Sequence, residues 1–242
     1  MERSVRLWNR FFFVTGMILL GSEAGKQLLL TFSVGKGHYL WWYFPFQLCS
    51  IPMYLLPLLP FLKGEKRRCV LAFLSTFTLL GAMAVFLDTS GMHYALPVLT
   101  VHSYLWHVVL ILSGLAAGFC LVRESGRGRV PASRYPSPFT QNARLSWRTF
   151  LHAALLYGLL CLVATVLNLT LSRFGTINMF YISPRLPMEQ IVFRHIARIW
   201  GNGAGILSYV ASTFLGSAIL YAFWRLLFRH LAEHPQDIRS RR

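Results

Sequence analysis

Acidic residues are scarce in this chain: eight Asp and Glu stand against 24 Lys and Arg in 242 residues, a net charge of +16. Charged side chains of both signs make up 13% of the sequence, about half the share of a soluble domain. A folded soluble domain with a basic face is therefore not expected, and nucleic-acid binding loses its usual platform. Cysteine is sparse as well. Cys49, Cys69, Cys120 and Cys161 show neither a CxxC pair nor metal-ligand spacing, so no disulfide framework and no metal site are expected. No cofactor motif stands out. No internal repeat is visible, which leaves inverted-repeat transporter architecture without support.

What is abundant is apolar sequence. Hydrophobic residues are 55% of the chain and mean hydropathy is +0.50. They gather in six runs, about 11–32, 40–62, 69–87, 95–122, 149–172 and 203–228. Each is long enough to cross a hydrocarbon core of roughly 30 Å at ~1.5 Å per residue. The expected fold is an all-α polytopic membrane bundle, a single domain of six transmembrane helices with membrane lipid as its partner. Its oligomeric state is left open. The first run follows Arg3, Arg6 and Arg10 like a signal peptide, but apolar character resumes at Leu28 and no A-x-A-like site intervenes, which favours a retained anchor.

Lys and Arg orient the spans. The N-terminus, the 63–68 connection, the 123–148 connection and the tail after 224 together hold 18 of the 24 basic residues, and alternation puts all four on one side. Both termini are then cytoplasmic, and the protein is a multi-pass component of the plasma membrane. The 123–148 stretch, rich in Arg, Ser, Gly and Pro, reads as a linker. The 173–202 connection is external. Its Met188–Trp200 part has helical periodicity, with Met188, Ile191, Val192 and Ile199 able to share a face and Arg194 and Arg198 at i, i+4 on another. That pattern suits either an interfacial helix that clamps lipid headgroups or a plain surface linker.

Orientation fixes depth. Cys49 lies in a Pro-bracketed run, Phe44 to Pro52, about nine residues inside the second span, or ~13 Å from the outer face. On the fourth span His102 and His107 fall at ~9 and ~16 Å, and on the first Glu23 falls at ~13 Å, with Lys26 and Gln27 on its face. Two readings follow. The groups form a polar lock, with Glu23 paired to Lys26, or they line a pocket in which a histidine activates the Cys49 thiol for attack on an acyl carbon. His107 is the better base by depth and His102 the reserve. The two stand about 140° apart round a helix, so one of them is expected to face Cys49. Glu23 would orient the imidazole or meet a cationic headgroup, and Lys26 would hold a phosphate or neutralise Glu23. Asn168 begins an N-x-T sequon but lies within a span. Trp41, Trp42 and Tyr43 read as an aromatic belt.

Three stretches resemble a known family. Phe44-Pro45-Phe46-Gln47-Leu48-Cys49 is similar to the LPLHLC signature of the YwaF-like (TP-type) bacterial integral membrane proteins. Tyr104 to Val109 resembles that family's His-bearing fourth helix, and Asn168 through Asn178 to Pro184 resembles its N…GxNYxyL…P segment. The family is similar in turn to a vertebrate transmembrane acyltransferase that remodels ether phospholipids. The resemblance implies Cys49 as nucleophile, His107 as base and Asn178 in an external loop that caps the site. Gln47 departs from it, standing where the signature has His. The functional expectation is a Cys/His-dependent phospholipid acyltransferase. Its substrate-binding residues would come from Lys26, Gln27, Gln47, Asn168, Asn178, Arg194 and Arg198. The alternative is a transporter or membrane sensor that uses Glu23, Lys26 and the histidines as an ion relay.

Overall fold

A computed structural model describes residues 2–126 and 145–233; most of the 123–148 linker, with Arg127, Arg129, Arg134 and Arg144, lies outside the described residues. The fold is all-helical, and among the described residues there is no strand. Helix α1 spans Glu2–Leu29 and continues through a π-helical turn, Leu30–Val34. Short α2 (Ile51–Leu55) follows, then α3 (Gly64–Phe73) and α4 (Leu79–Ala84), joined by a π segment over Leu74–Thr78. The remaining helices are α5 (Pro97–Gly126), α6 (Trp147–Leu171), α7 (Ile191–Trp200) and α8 (Asn202–Glu233). Among the described residues, four helical stretches are long and apolar enough to cross a membrane: Gly64–Ala84, Pro97–Gly126, Trp147–Leu171 and Asn202–His230. With its Glu23 and Lys26, α1 is long enough but is not among them.

The expected second span, 40–62, is not one helix. It breaks into a 3-10 turn at Trp41–Tyr43, the five-residue α2 and a second 3-10 turn at Leu59–Phe61. Pro45, Pro52, Pro57 and Pro60 explain the break. Each lacks an N–H and disfavours the helical region for the residue before it, and four within 16 positions leave no room for an uninterrupted ladder. The segment instead lies along α1, where Gly16 is the only residue type that fits: a Cβ there would overlap the Pro57 ring.

The centre of the bundle is the π segment. All five of its residues are buried. A π turn misaligns the helix ladder and exposes carbonyls, and the Ser75 carbonyl accepts a 3.0 Å hydrogen bond from the Trp224 indole of α8. Small residues on α5 let it approach. A Cβ on Gly114 would lie 3.0 Å from the Leu74 carbonyl, and one on Gly118 would overlap the Trp224 ring. Beside them, Phe77 stacks on Phe150 and on Tyr157 at 6.1 and 4.6 Å between ring centres. At the linker end of the bundle Arg67, buried to 7% exposure, grips both Glu124 oxygens at 2.9 and 3.1 Å and donates to the Leu59 carbonyl. The Cys120 thiol donates to the same carboxylate at 3.2 Å.

The interfacial stretch becomes α7, which turns back on α8 through Gly201 at φ +89°. Phe193 packs edge-on against Tyr209, and a Cβ on Gly205 would stand 2.7 Å from that of Ala197. Val192, Ile199 and Trp200 remain exposed on the neighbouring arc. Ile191 does not join them; at ~100° per residue it falls about 20° from Arg198, and Met188 is buried ahead of the helix.

Gly118→Ala is expected to lower stability by about 1–3 kcal/mol, the cost of forcing a methyl into a filled core, whereas Gly158→Ala, with no atom within 4 Å, should not. Thermal unfolding of the two purified variants checks this; equal melting temperatures would place the Trp224 wedge outside the packing that holds the fold.

Candidate functional site

The α4–α5 end of the bundle encloses a cavity of about 420 Å³. Cys49, His102, His107, Glu23, Lys26 and Gln47 all line it. The depth reckoning thus brings together residues from α1, the broken segment and α5. Both histidines reach the cavity, not one of them, because it extends around α5 far enough to meet positions about 140° apart.

Each side chain has a traceable cause. Cys49 sits in the turn before α2, where the proline-broken chain cannot bury it in a helix core; it is half-buried, and its wall is the cavity. The Trp106 indole, one residue before His107, donates to the Cys49 carbonyl at 3.1 Å and ties this turn to α5. His107 is buried to 7% exposure. Its Nδ1 donates to the Ser103 carbonyl, one turn back on α5, at 2.7 Å. A carbonyl only accepts, so Nδ1 carries the proton and Nε2 keeps its lone pair, the tautomer a general base requires. Ser103, not Glu23, orients the ring. His102 tilts against Trp106 at 5.6 Å, and its Nε2 is buried without a partner.

Glu23 is spent on a lock. One carboxylate oxygen pairs with Lys26 at 2.8 Å, the other accepts from Gln27 at 2.7 Å, and the residue is only 4% exposed. Gln27 also donates to the Tyr43 carbonyl at 2.7 Å, pinning the 41–43 turn over the cavity. Gln27 therefore stands behind the wall and does not line it.

Three further amides expected to bind substrate hold the loop that follows α6. Phe180 and Tyr181 both have φ of +57°, a left-handed conformation costly for aromatic residues. Gln47 spans this turn, accepting from the Phe180 N–H and donating to the Asn178 carbonyl, both at 2.8 Å. Asn168 is wholly buried and grips Met179 from below, its Oδ1 accepting at 2.6 Å and its Nδ2 donating at 3.0 Å. Asn178 Oδ1 accepts from Ser183 N–H at 3.0 Å. These polar atoms face backbone, so the structure places Asn168 and Asn178 as loop braces and leaves Gln47 on the cavity wall with its amide occupied. Arg194 and Arg198 are exposed on α7 and do not line the cavity.

Sequence reasoning passes over several wall residues. Tyr94 stacks on Tyr43 at 5.2 Å, and Trp42, Tyr181 and Tyr209 complete an aromatic lining. Tyr43 and Trp42, expected as part of an aromatic belt, thus line the cavity. Asp88 and Glu189 contribute carboxylates at its edge. Hydrogen bonds from Ser90 hold the Asp88 carboxyl below the ordinary carboxylate range, while burial pushes the Tyr181 phenol up to about 12. Asn202 clamps the loop from the far side, accepting from Met188 N–H at 2.8 Å and donating to the Leu186 carbonyl at 2.9 Å. Its place directly after Gly201, at a helix start, is the one signal that points to it. Among the described residues no three His, Cys, Asp or Glu side chains converge to hold a metal ion.

Lys26→Met is expected to cost about 3–5 kcal/mol, because it strands the buried Glu23 charge, and adding Glu23→Gln should recover most of the loss. Thermal unfolding of the single and double variants reads this; a double variant no more stable than Lys26→Met would remove the lock.

No family model matches the chain, and no curated protein or solved structure matches it either.

Proposed function

We propose that this is a plasma-membrane protein that crosses the bilayer six times, the second time as the proline-broken 40–62 segment. Both termini are cytoplasmic, and the cavity is the site of a Cys/His-dependent acyl transfer on membrane lipid. The observation that carries the reading is that Cys49 and His107 line one cavity while His107 Nδ1 is held by the Ser103 carbonyl. That bond leaves Nε2 with its lone pair, in a buried setting on the cavity that Cys49 also lines. Kinship with the YwaF-like proteins, resting on the 44–49, 104–109 and 168–184 stretches, supports the same assignment of nucleophile and base.

The chemistry balances in two half-reactions. His107 Nε2 takes the Cys49 proton, and the thiolate attacks the carbonyl carbon of a phospholipid ester. A carbon–sulfur bond forms and the ester carbon–oxygen bond breaks. The proton on His107 passes to the departing glycerol oxygen, which leaves as a lysolipid hydroxyl. A second lysolipid hydroxyl then gives its proton to His107 and attacks the thioester. The new ester forms and the proton returns to sulfur. His102 lines the same cavity with an unpartnered Nε2, and in this scheme it is the second donor to the acyl oxygen.

A relay through the bundle is disfavoured by what lies under the cavity. Ser75 and Thr76 hydroxyls bond back to the Ala72 carbonyl, Thr165 bonds back to Cys161, and the Phe73, Phe77, Phe150 and Tyr157 rings fill the space between. Of the hydroxyls in the bundle interior, those of Thr78, Ser113 and Ser217 stay buried without a partner.

An alkyl-chain acyl electrophile should label the wild-type protein and Cys161→Ala but not Cys49→Ala. His107→Gln should slow labelling by about 10²-fold or more, the usual range for loss of a general base. Mass spectrometry of the labelled peptide identifies the residue; identical labelling of the two cysteine variants would end the acyl-transfer reading.

A further inference from the structure

We infer that Tyr181 is a further catalytic residue of the acyl transfer: its phenol donates a hydrogen bond to the oxyanion that forms when the Cys49 thiolate adds to an ester carbonyl. The inference deepens, and rests on, the acyl-transfer reading. It starts from the backbone. Phe180 and Tyr181 are consecutive aromatic residues at φ +57°. Bulky side chains seldom occupy that region, and residues held in it cluster where the conformation is used. Packing accounts for the first of the two. Phe180 is buried, against Phe46 and Tyr157 at 5.8 and 6.3 Å between ring centres. Tyr181 is only half-buried, and it lines the cavity. Gln47, two residues from Cys49, holds the turn just before it through the Phe180 N–H and the Asn178 carbonyl. The segment that carries the thiol therefore also sets the place of the phenol.

The hydroxyl is what this position offers beyond a ring. It ends beside Gly91, also on the cavity wall, where a Cβ would lie 3.5 Å from Oη. Among the described residues no acceptor takes its proton, whereas the hydroxyls of Tyr54 and Tyr221 are given to the Pro45 and Ser146 carbonyls. Of the ionisable groups around it, Cys49 acts on it most strongly. Burial keeps the phenol protonated up to about 12, so at neutral pH it is a donor and not a base. Tyr94 and Tyr209 also line the cavity, but their rings pack on Tyr43 and Phe193 at 5.2 and 5.3 Å. As the carbon–sulfur bond forms, the carbonyl π pair moves onto oxygen and the phenol O–H meets the new charge. When the pair returns, the ester carbon–oxygen bond breaks and the departing oxygen takes the proton held by His107 Nε2. The phenol keeps its own proton throughout. A donor fixed in place before the reaction acts on the charge that develops and costs no reorganisation. His102 Nε2, unpartnered on the same cavity, is the other donor.

The test compares two reactions of Cys49 in the full chain in nanodiscs, each read as mass added to the Cys49 peptide. An alkyl-chain acyl ester acylates the thiol through an oxyanion. Iodoacetamide alkylates the same thiolate at a saturated carbon, where a carbon–sulfur bond forms as the carbon–iodine bond breaks and no oxyanion arises. Tyr181→Phe should slow acylation by about 10²-fold while alkylation changes by less than about twofold. His107→Gln, by contrast, should slow both, because both need the thiolate. Equal slowing of the two reactions in Tyr181→Phe, or acylation at the wild-type rate, overturns the role of the phenol and leaves acyl transfer standing. If the wild type is alkylated but never acylated, acyl transfer falls and the role of the phenol falls with it. Should Tyr181→Phe not fold, difluorotyrosine at position 181, a phenol of nearly the same shape and lower pKa, decides. Acylation should then be lost at a lower pH than in the wild type, as the phenol gives up its proton, while alkylation goes on rising with the thiolate. Identical pH profiles for the two proteins overturn the inference.

Discussion

Gln47 holds two backbone groups of one turn with one side chain, and the geometry of the cavity depends on that grip. Its amide faces Phe180 N–H and the Asn178 carbonyl at 2.8 Å each. Two successive aromatic residues with positive φ cannot hold that conformation unaided; each costs on the order of 1–3 kcal/mol. Buried backbone groups without partners would add on the order of 1–3 kcal/mol apiece. Gln47 from the cavity wall, Asn168 from α6 and Asn178 from within the loop meet both demands. The result is a loop stiff enough to hold Phe180 and Tyr181 on the wall opposite α5. Gln47 is two residues from Cys49, so the same grip anchors the turn that carries the thiol. A histidine at position 47 has a donor and an acceptor nitrogen too, but they point away from each other across the ring and do not present the side-by-side pair that an amide offers to one peptide turn. Gln47 is thereby tied to how the loop is braced.

A second economy separates the polar groups that stabilise from those that remain available. Glu23 and Lys26 are the most expensive side chains to enclose, and they are bonded to each other and to Gln27. Gln27 in turn holds Tyr43. This answers the choice between lock and pocket with both: the charged groups lock, and the neutral ones, Cys49, His102 and His107, are left with free atoms facing the cavity. Neutral reactive groups suit an enclosed site, since an imidazole can take a thiol proton without a standing charge having been buried first.

How much of this was legible in the sequence follows from which signals are periodic. That Glu23, Cys49, His102 and His107 meet at one cavity is legible from the order and direction of the apolar runs, although the helical rise used for Cys49 does not apply, since 40–50 is not helical. The continuity of 40–62 is not, because apolar content measures length and says nothing of helix when four prolines interrupt it. The roles of Asn168 and Asn178 are misread for a related reason. A buried amide looks the same in a sequence whether it faces a ligand or a backbone turn, and only the positive φ at 180 and 181 makes the second demand visible. Arg67 stands among four basic residues at 63–68 that orient a connection, yet it is buried on Glu124; no local pattern separates it from Lys66 and Arg68. Asp88 and Glu189 lie 101 positions apart in unremarkable loops, and only the fold brings them to one rim.

The two ends of the bundle are built on opposite principles, and that asymmetry bears on what the cavity can do. At the linker end Arg67, Glu124 and Cys120 satisfy one another and close the space between α3 and α5. In the middle the π segment presses Leu74 to Thr78 into full burial, and Trp224 seals its freed carbonyl. At the other end the same helices diverge around a cavity that ends in loops. Under the proposed acyl transfer, an ester carbonyl would enter from the loops while its acyl chains lie along the exposed apolar side chains of the helices.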